Sequence, residues 1–326
     1  MLGLGNVNIG EAALLKQDLL VSVVIPMFNS EKWIRQTLIS VCEQDYNNLE
    51  IIVIDDGSSD GSSEIVKQII AENSQLTIKL HSIENSGVSF ARNLGISLSS
   101  GKLIALLDSD DLWDKTKLSQ QVRFLNSHPE MIAILCDFFI SIPEIDKENL
   151  RNIRLISKRN VKDVGMDWLS FQGNGGLLSS TILFWREKIL GIATFDSALS
   201  TTADLSFFLQ LLKIGKVGHL DIPLVQYRQH ENQMHSDPDL LRTEYPLLLD
   251  RLHSFSIQTK KRKLFGNLYV MCGLLNLPRR KYRRALLDFL RGFILNPVSI
   301  VNIPLSLVRK RIVGSLLIAT RKSRLS

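Results

Sequence analysis

From residue 21 the chain alternates short, almost wholly apolar runs with stretches of mixed spacing. Val21-Ser-Val-Val-Ile25 stops at Pro26, and Asn29-Ser30 leads into a helical pattern that reaches Cys42. Leu49-Glu-Ile-Ile-Val-Ile54 runs into Asp55-Asp-Gly-Ser-Ser-Asp60, where a Ser or Asp can cap a helix. A third run covers residues 78–83 and precedes a helical segment that Ser86 or Ser89 would cap. The fourth, residues 103–107, ends at Asp108-Ser-Asp-Asp111, and residues 131–140 form a fifth. Apolar strands separated by helices of about ten residues predict a mostly parallel sheet flanked by helices on both faces. In such a sheet ligands gather at the carboxyl ends of the strands.

Residues 141–175 are polar and weakly patterned, which predicts a connection or flap. Gly173-Asn-Gly-Gly176 punctuates the chain before an apolar run over 177–185, a helix over 204–213 and a strand over 219–227 that leads into Arg228-Gln-His230. Beyond about residue 240 the pattern becomes helical, with cations in clusters: Lys260-Lys-Arg-Lys263, Arg279-Arg-Lys281, Arg283-Arg284, Arg309-Lys-Arg311 and Arg321-Lys322.

Charge sharpens that division. The net +6 conceals 21 Lys and Arg against 30 Asp and Glu in residues 1–240, and 18 against 3 in residues 241–326. The basic excess thus belongs to the tail alone, and the two parts are expected to meet different partners. Between its cation clusters the tail holds residues 292–308, uncharged but interrupted by Pro297 and Pro304. About 17 residues is the short limit for a membrane span. A segment at the interface, held by cations to an anionic membrane surface, fits better, and a solvated helical bundle is the alternative. Aromatic residues are few near the cations, so nucleic acid is not expected as a partner. Hydrophobic residues make up 45% of the chain, enough for a buried core. Cys42, Cys136 and Cys272 lie far apart and are odd in number, against a disulfide scaffold or a CxxC zinc site. Residues 1–20 lack the basic flank and apolar run of a signal peptide. The expected location is cytoplasmic, with the tail peripheral on the inner face of the cell membrane.

The chemistry lies at the strand ends. No G-x-G-x-x-G follows the first strand and no P-loop is present, so a dinucleotide oxidoreductase is excluded. Asp108 and Asp110 instead offer two carboxylates where a strand gives way to a turn, hard oxygen ligands suited to Mg2+ or Mn2+ beside a phosphate. Arg92 is a cation suited to pair with phosphate or a site carboxylate; otherwise it is a surface arginine. Asn29 either lines the same cleft or caps a helix. Asp55 and Asp56 either meet a ligand or close an Asx turn.

Four motifs together carry a resemblance: Val21-Ser-Val-Val-Ile-Pro-Met-Phe-Asn29; Ile54-Asp-Asp-Gly-Ser-Ser-Asp60; Asn85-Ser-Gly87 with Ala91-Arg-Asn-Leu-Gly95; and Leu107-Asp-Ser-Asp-Asp111. Their order and spacing resemble family 2 glycosyltransferases. Residues 191–196 with Asp204 resemble that family's acceptor-side motifs, and residues 223–230 its P-L-x-x-Y-R-x-H segment. The resemblance covers roughly residues 20–235. It implies a GT-A fold, a nucleotide-diphosphate sugar donor, a divalent Mn2+ or Mg2+ and inversion at the anomeric carbon. It divides the chain into an extension (1–20), a catalytic domain (21–238, with a nucleotide-sugar half over 21–140 and an acceptor half over 141–238) and a basic helical tail (239–326).

By the same resemblance Pro26, Asn29, Asp55, Asp56, Asn85, Gly87, Arg92, Asp108 and Ser109 meet the nucleotide sugar. Asp108, Asp110 and His230 hold the metal, with His235 a weaker candidate. Asp204 would be the general base that takes the acceptor's proton, its alternative being a helix N-cap. The chain departs from the family pattern at Ala203, where an acidic residue usually stands, and at Gln210, where an arginine is common. The implied function is transfer of one sugar, most often from a UDP-sugar, to a glycan or polyprenyl-linked acceptor in cell-surface polysaccharide or glycolipid synthesis. The absence of Q-x-x-R-W argues for a single transfer over processive synthesis. Two rivals stand: a nucleotidyltransferase, for which residues 26–30 lack a phosphate loop, and a sugar-nucleotide-binding protein without activity.

Overall fold

The computed structural model describes residues 19–141, 178–230, 238–253, 261–277 and 281–297. The expected flap at 141–175 lies outside these but for Ser141, as do His235, nearly all of the 1–20 extension and the tail beyond residue 297. The described residues fall into two compact units, one holding those up to His230 and the other the helices from Pro238 onward.

The first unit is built on an eight-stranded sheet. In chain order its elements are β1 (Val21–Met27), α1 (Ile34–Cys42), β2 (Leu49–Asp55), α2 (Ser62–Glu72), β3 (Thr77–Ser82), α3 (Val88–Leu98), β4 (Leu103–Leu106), β5 (Leu112–Trp113), α4 (Lys117–Ser127) and β6 (Met131–Ser141). A 3-10 turn (Ser179–Thr181), β7 (Leu183–Trp185), α5 (Arg186–Ile189), α6 (Ala203–Ile214) and β8 (Lys216–Arg228) complete it. The strand order is β3-β2-β1-β4-β7-β6-β8-β5. Strands β3, β2, β1 and β4 are parallel throughout. β7 runs antiparallel to β4 and β6, whereas β6 and β8 are parallel, with bulges around Asp137.

The apolar runs form strands because both faces are covered: every residue of β1 and β2 is buried. Helix α3 lies so close to β1 that a Cβ on Gly95 would stand 2.3 Å from Val24 Cγ1, which is why this position in the motif carries no side chain. The start of α3 departs from expectation. Neither Ser86 nor Ser89 caps it; Gly87, at φ 91°, precedes the helix. The Asp56 carboxylate instead accepts the amides of Ser86 (2.6 Å) and Gly87 (2.8 Å).

A buried polar knot holds the edge away from the site. Glu50 on β2 accepts from Ser22 Oγ (2.7 Å), Ser100 N and Oγ (2.7 and 2.6 Å) and Lys79 Nζ (3.0 Å). Burial alone would raise its carboxyl, yet these donors hold it down at about 2, from an ordinary 4.5. The stabilisation it brings is therefore complete above pH 4.5 and lost as pH falls through about 2. Glu50→Gln should cost about 2 kcal/mol near neutrality. In thermal melts from neutral to acid pH the two proteins should converge towards pH 2; a gap that stays constant would count against the knot.

The second unit contains α7 (Pro238–His253), α8 (Lys261–Asn276) and α9 (Tyr282–Leu295). α9 packs through Ala285, Asp288 and Gly292. Asp288 Oδ2 accepts from Arg242 Nη2 on α7 (2.5 Å) and Asn276 Nδ2 on α8 (2.9 Å), so one buried carboxylate joins all three helices. Among the described residues no helix is long and apolar enough to cross a membrane.

Candidate active site

The carboxyl ends of β1, β2 and β4 meet on one edge of the sheet, as a parallel arrangement dictates. Pro26 is buried within β1 and shapes that strand without an exposed surface. Asn29 sits in the left-handed region at φ 47° and does not cap α1. Its Oδ1 accepts the Ser59 amide (2.9 Å), and its own amide donates to Ser58 Oγ (2.9 Å). Asp55 accepts the Ser58 amide (3.0 Å) and the Ser63 hydroxyl, closing the turn into α2. Asp55 thus ties its own loop and Asp56 the segment before α3, and both are buried. Closing a turn leaves a carboxylate oxygen with lone pairs for a further donor. Asn85 and Gly87 are exposed beside them, and Ser109 is buried with its hydroxyl 2.7 Å from that of Ser30.

Arg92 is the hub. It is 4% exposed, which rules out a surface arginine. Nη2 donates to Asp108 Oδ1 at 2.6 Å and Nη1 to Asp204 Oδ1 at 2.7 Å, and the guanidinium lies 5.0 Å from the Phe195 ring centroid. Burial alone would lower its pKa, but the two carboxylates outweigh burial and raise it. Nε is buried without a partner in the described structure. The neighbouring motif residues stitch α3 to the later segment in the same way. Ser89 Oγ donates to Leu199 O (2.6 Å), while Asn93 donates to Phe195 O (2.7 Å) and accepts its amide (2.9 Å).

Asp204 lies in the first turn of α6 and is not its N-cap. Its second oxygen accepts the Ser179 amide at 3.1 Å, leaving the side chain 20% exposed. Ala203 is fully buried, so the missing acidic residue has no substitute there. Gln210 clamps the backbone of Thr194, accepting its amide (3.2 Å) and donating to its carbonyl (2.9 Å).

Asp110 pairs with His230, Nε2 to Oδ2 at 3.0 Å, and the imidazole stacks on Trp33 at 5.0 Å between centroids. Sequence reasoning brings these two together through the metal; it misses the supports around them. Asp111 is fully buried, accepting Ser180 Oγ (2.5 Å) and the Arg228 amide (3.2 Å). Arg228 donates through Nε to the Asp110 carbonyl, through Nη1 to Gln36 Oε1 (2.6 Å) and through Nη2 to Thr37 Oγ1 (2.8 Å). Asp111 and Arg228 stand inside the quoted motifs, but their pairing spans 117 positions and leaves no local signal.

The cluster is short of positive charge. Burial first, then Asp204 and Asp110, push the Asp108 carboxyl up to about 6 against the pull of Arg92. Burial, Asp110 and Asp108 push Asp111 well above the carboxylate range. A divalent cation would relieve this repulsion, and the donors are the hard oxygens it prefers. Among the described residues no three His, Cys, Asp or Glu side chains form a complete metal site, so phosphate oxygens would have to supply the remaining ligands.

The sequence model of glycosyl transferase family 2 matches residues 22–182. An uncharacterized glycosyltransferase of Haemophilus influenzae is 38% identical over 198 residues, 60% of this chain and 72% of that protein. One from Rickettsia bellii is 43% identical over 112 residues, 34% of this chain but only 16% of the relative's length. The Escherichia coli UDP-Glc:alpha-D-GlcNAc-diphosphoundecaprenol beta-1,3-glucosyltransferase WfaP is 34% identical over 137 residues, 39% of this chain and 53% of that one. Among solved structures, S. aureus TarS 1–349 with UDP-GlcNAc superposes with a TM-score of 0.57 at 17% identity, over 84% of this chain and 89% of that one. Mannosyltransferase PcManGT from Pyrobaculum calidifontis, with GDP-Man and Mn2+, gives 0.53 at 17% identity over 94% and 82%. The fold is the GT-A fold that the sequence resemblance implies. By its motifs, its sheet and the extent of its match to the H. influenzae protein, the chain belongs to glycosyl transferase family 2.

Proposed function

We propose that the chain is an inverting glycosyltransferase that moves one sugar from a nucleotide-diphosphate sugar, a UDP-sugar in our reading, to a glycan or polyprenyl-linked acceptor in cell-surface polysaccharide or glycolipid synthesis. The observation that carries this reading is the single guanidinium of Arg92, bonded at once to Asp108 on the donor edge and Asp204 on α6. It makes a donor-side carboxylate and a candidate base neighbours across one cleft, as a single displacement requires. The names of relatives that act on UDP-glucose with a diphosphoundecaprenol acceptor, or that bind UDP-GlcNAc, support the donor and acceptor classes.

In this reading Asp204 accepts the proton of the acceptor hydroxyl while that oxygen attacks the anomeric carbon. The bond from that carbon to the diphosphate oxygen breaks on the opposite side, and the nucleotide diphosphate leaves with the bonding pair. Asp110, with Asp108 or His230 beside it and phosphate oxygens of the donor supplying the remaining ligands, would hold Mn2+ or Mg2+. A bound cation supplies Lewis-acid stabilisation of the charge developing on the diphosphate. Asp56, Asn85 and Gly87 would face the nucleoside, with Asp55, Asn29 and Ser109 shaping the loops around it and Pro26 the end of β1. Arg92 Nη1 holds the Asp204 carboxylate in place beside Asp108.

The test is a panel of nucleotide sugars with Mn2+ or Mg2+, scored by thermal shift and nucleotide diphosphate release. We expect a metal-dependent Tm rise with one donor, lost in Asp110→Asn, and slow release of the diphosphate. Donor binding without release across a panel of acceptors would favour a sugar-nucleotide-binding protein. No shift with any donor and either metal would overturn the reading.

A further inference from the structure

Helix α9 has one face too apolar for water and nothing acidic exposed along it. Ala285, Asp288 and Gly292 turn inward. On the outward side Leu286 is 60% exposed, Leu290 51%, Phe293 51% and Ile294 66%, with Tyr282 and Leu287 beside them. At 100° per residue these six occupy one continuous arc, which a solvated bundle helix would fill with polar residues. The only charged side chains exposed on the helix are Arg283, Arg284 and Arg291. Arg283 falls within the arc and the other two along one edge. The acidic side chain of the helix, Asp288, is buried with Arg242 and Asn276.

We propose that α9 lies flat on an anionic lipid surface, its apolar arc in the acyl boundary and Arg283 and Arg291 among the headgroups, while Arg284 pairs with Asp239 on α7. This places the membrane contact on a described helix, where the sequence pattern points to residues 292–308. The combination of exposed leucines, phenylalanine and isoleucine with flanking cations is the chemistry of an interfacial helix. Charge argues against a second copy as the occupant. A self-pairing face would set Arg283 and Arg291 against their own counterparts with no exposed acid on the helix to answer them. Arginine at an acyl boundary, by contrast, can lie along its stem and reach a phosphate. The inference is independent of the sugar-transfer reading, because no residue of the site takes part.

Co-sedimentation of the full chain with vesicles tests it. Vesicles of about one-third phosphatidylglycerol in phosphatidylcholine should bind the protein, and pure phosphatidylcholine should bind it at least about tenfold less well. The double variant Leu290→Gln/Phe293→Gln should lose about tenfold or more in affinity for the anionic vesicles. Arg283→Gln/Arg291→Gln should lose affinity mainly at low salt, since at about 1 M salt the Debye length shrinks to about 3 Å and the arginines' attraction is largely screened. Circular dichroism and Tm of each variant separate a lost surface from a lost fold. Equal binding by wild type and a folded Leu290→Gln/Phe293→Gln variant would overturn the proposal. So would dimerisation of wild type that this variant abolishes while vesicle binding is absent.

Discussion

Asp204→Asn is expected to lower kcat for sugar transfer by about 10³-fold while leaving nucleotide-sugar affinity within a few fold of wild type. The amide keeps the shape and a single acceptor oxygen for Arg92 Nη1 or the Ser179 amide, both of which Asp204 now serves. It cannot take a proton from the acceptor. The discriminating quantity is the split between steps: thermal shift with donor and metal should survive, and diphosphate release should not. A variant that retains wild-type turnover would remove Asp204 from the role of base and leave it a bracket for Ser179. Equal losses of donor binding and turnover would also remove it from that role, because a group that acts only on the acceptor has no reason to affect donor affinity.

The second large effect is on stability. Arg92→Met removes a guanidinium that is 5% exposed and strands Asp108 and Asp204, each with about a fifth to a quarter of its side chain in water. Removing one partner from a buried ionic group costs about 3–5 kcal/mol, and the partial exposure of the two acids favours the lower figure. For a unit of this size about 3 kcal/mol corresponds to a fall in Tm of roughly 6–12 °C. The double variant Arg92→Met/Asp204→Asn should be more stable than the sum of its single losses predicts, because one of the two facing carboxylates has been neutralised. Strict additivity would mean that the two carboxylates do not feel each other through the site, contrary to the upward push on Asp108.

The parts of the fold that are legible in the sequence are those governed by near neighbours. Apolar runs mark β1, β2 and β4 because strands buried on both faces need no alternation, and the acidic residues mark the carboxyl ends of β2 and β4. β8 is longer than its apolar core: it begins at Lys216 and takes in the residues before His219, because pairing with β6 satisfies their backbone. The start of α3 escapes a local reading for a related reason. The amides just before it go to Asp56, 30 positions earlier, and no local serine signals that.

Within the site, residue types are legible and their partners are not. Arg92 is suited by type to meet phosphate or a carboxylate; it meets two carboxylates, one of them 112 positions away. Asp55, expected at the cleft, also closes its own turn, and Asn29 bonds to Ser58 and Ser59 in that same turn rather than in its own. The motif Ser89–Asn93 carries no hint that three of its side chains reach Phe195, Leu199 and Asp204. Such contacts are decided when the chain closes on itself, and a linear pattern records only that polar residues stand where apolar ones would pack better.

The grip of Arg228 on Asp110, Gln36 and Thr37 bears on how this chain can be cut and recombined. A fragment covering residues 21–140 would carry every donor-side motif and the whole parallel half of the sheet. It would lack the last residue of β8, which fastens the Asp108–Asp111 loop to α1. The donor half is therefore not a portable cassette: grafted onto another acceptor half, it would need that half to end in an arginine at the same register. Swaps with relatives should tolerate a crossover between residues 141 and 228 only where the incoming half brings that arginine at the same register, a condition that disappears when the crossover lies after residue 230.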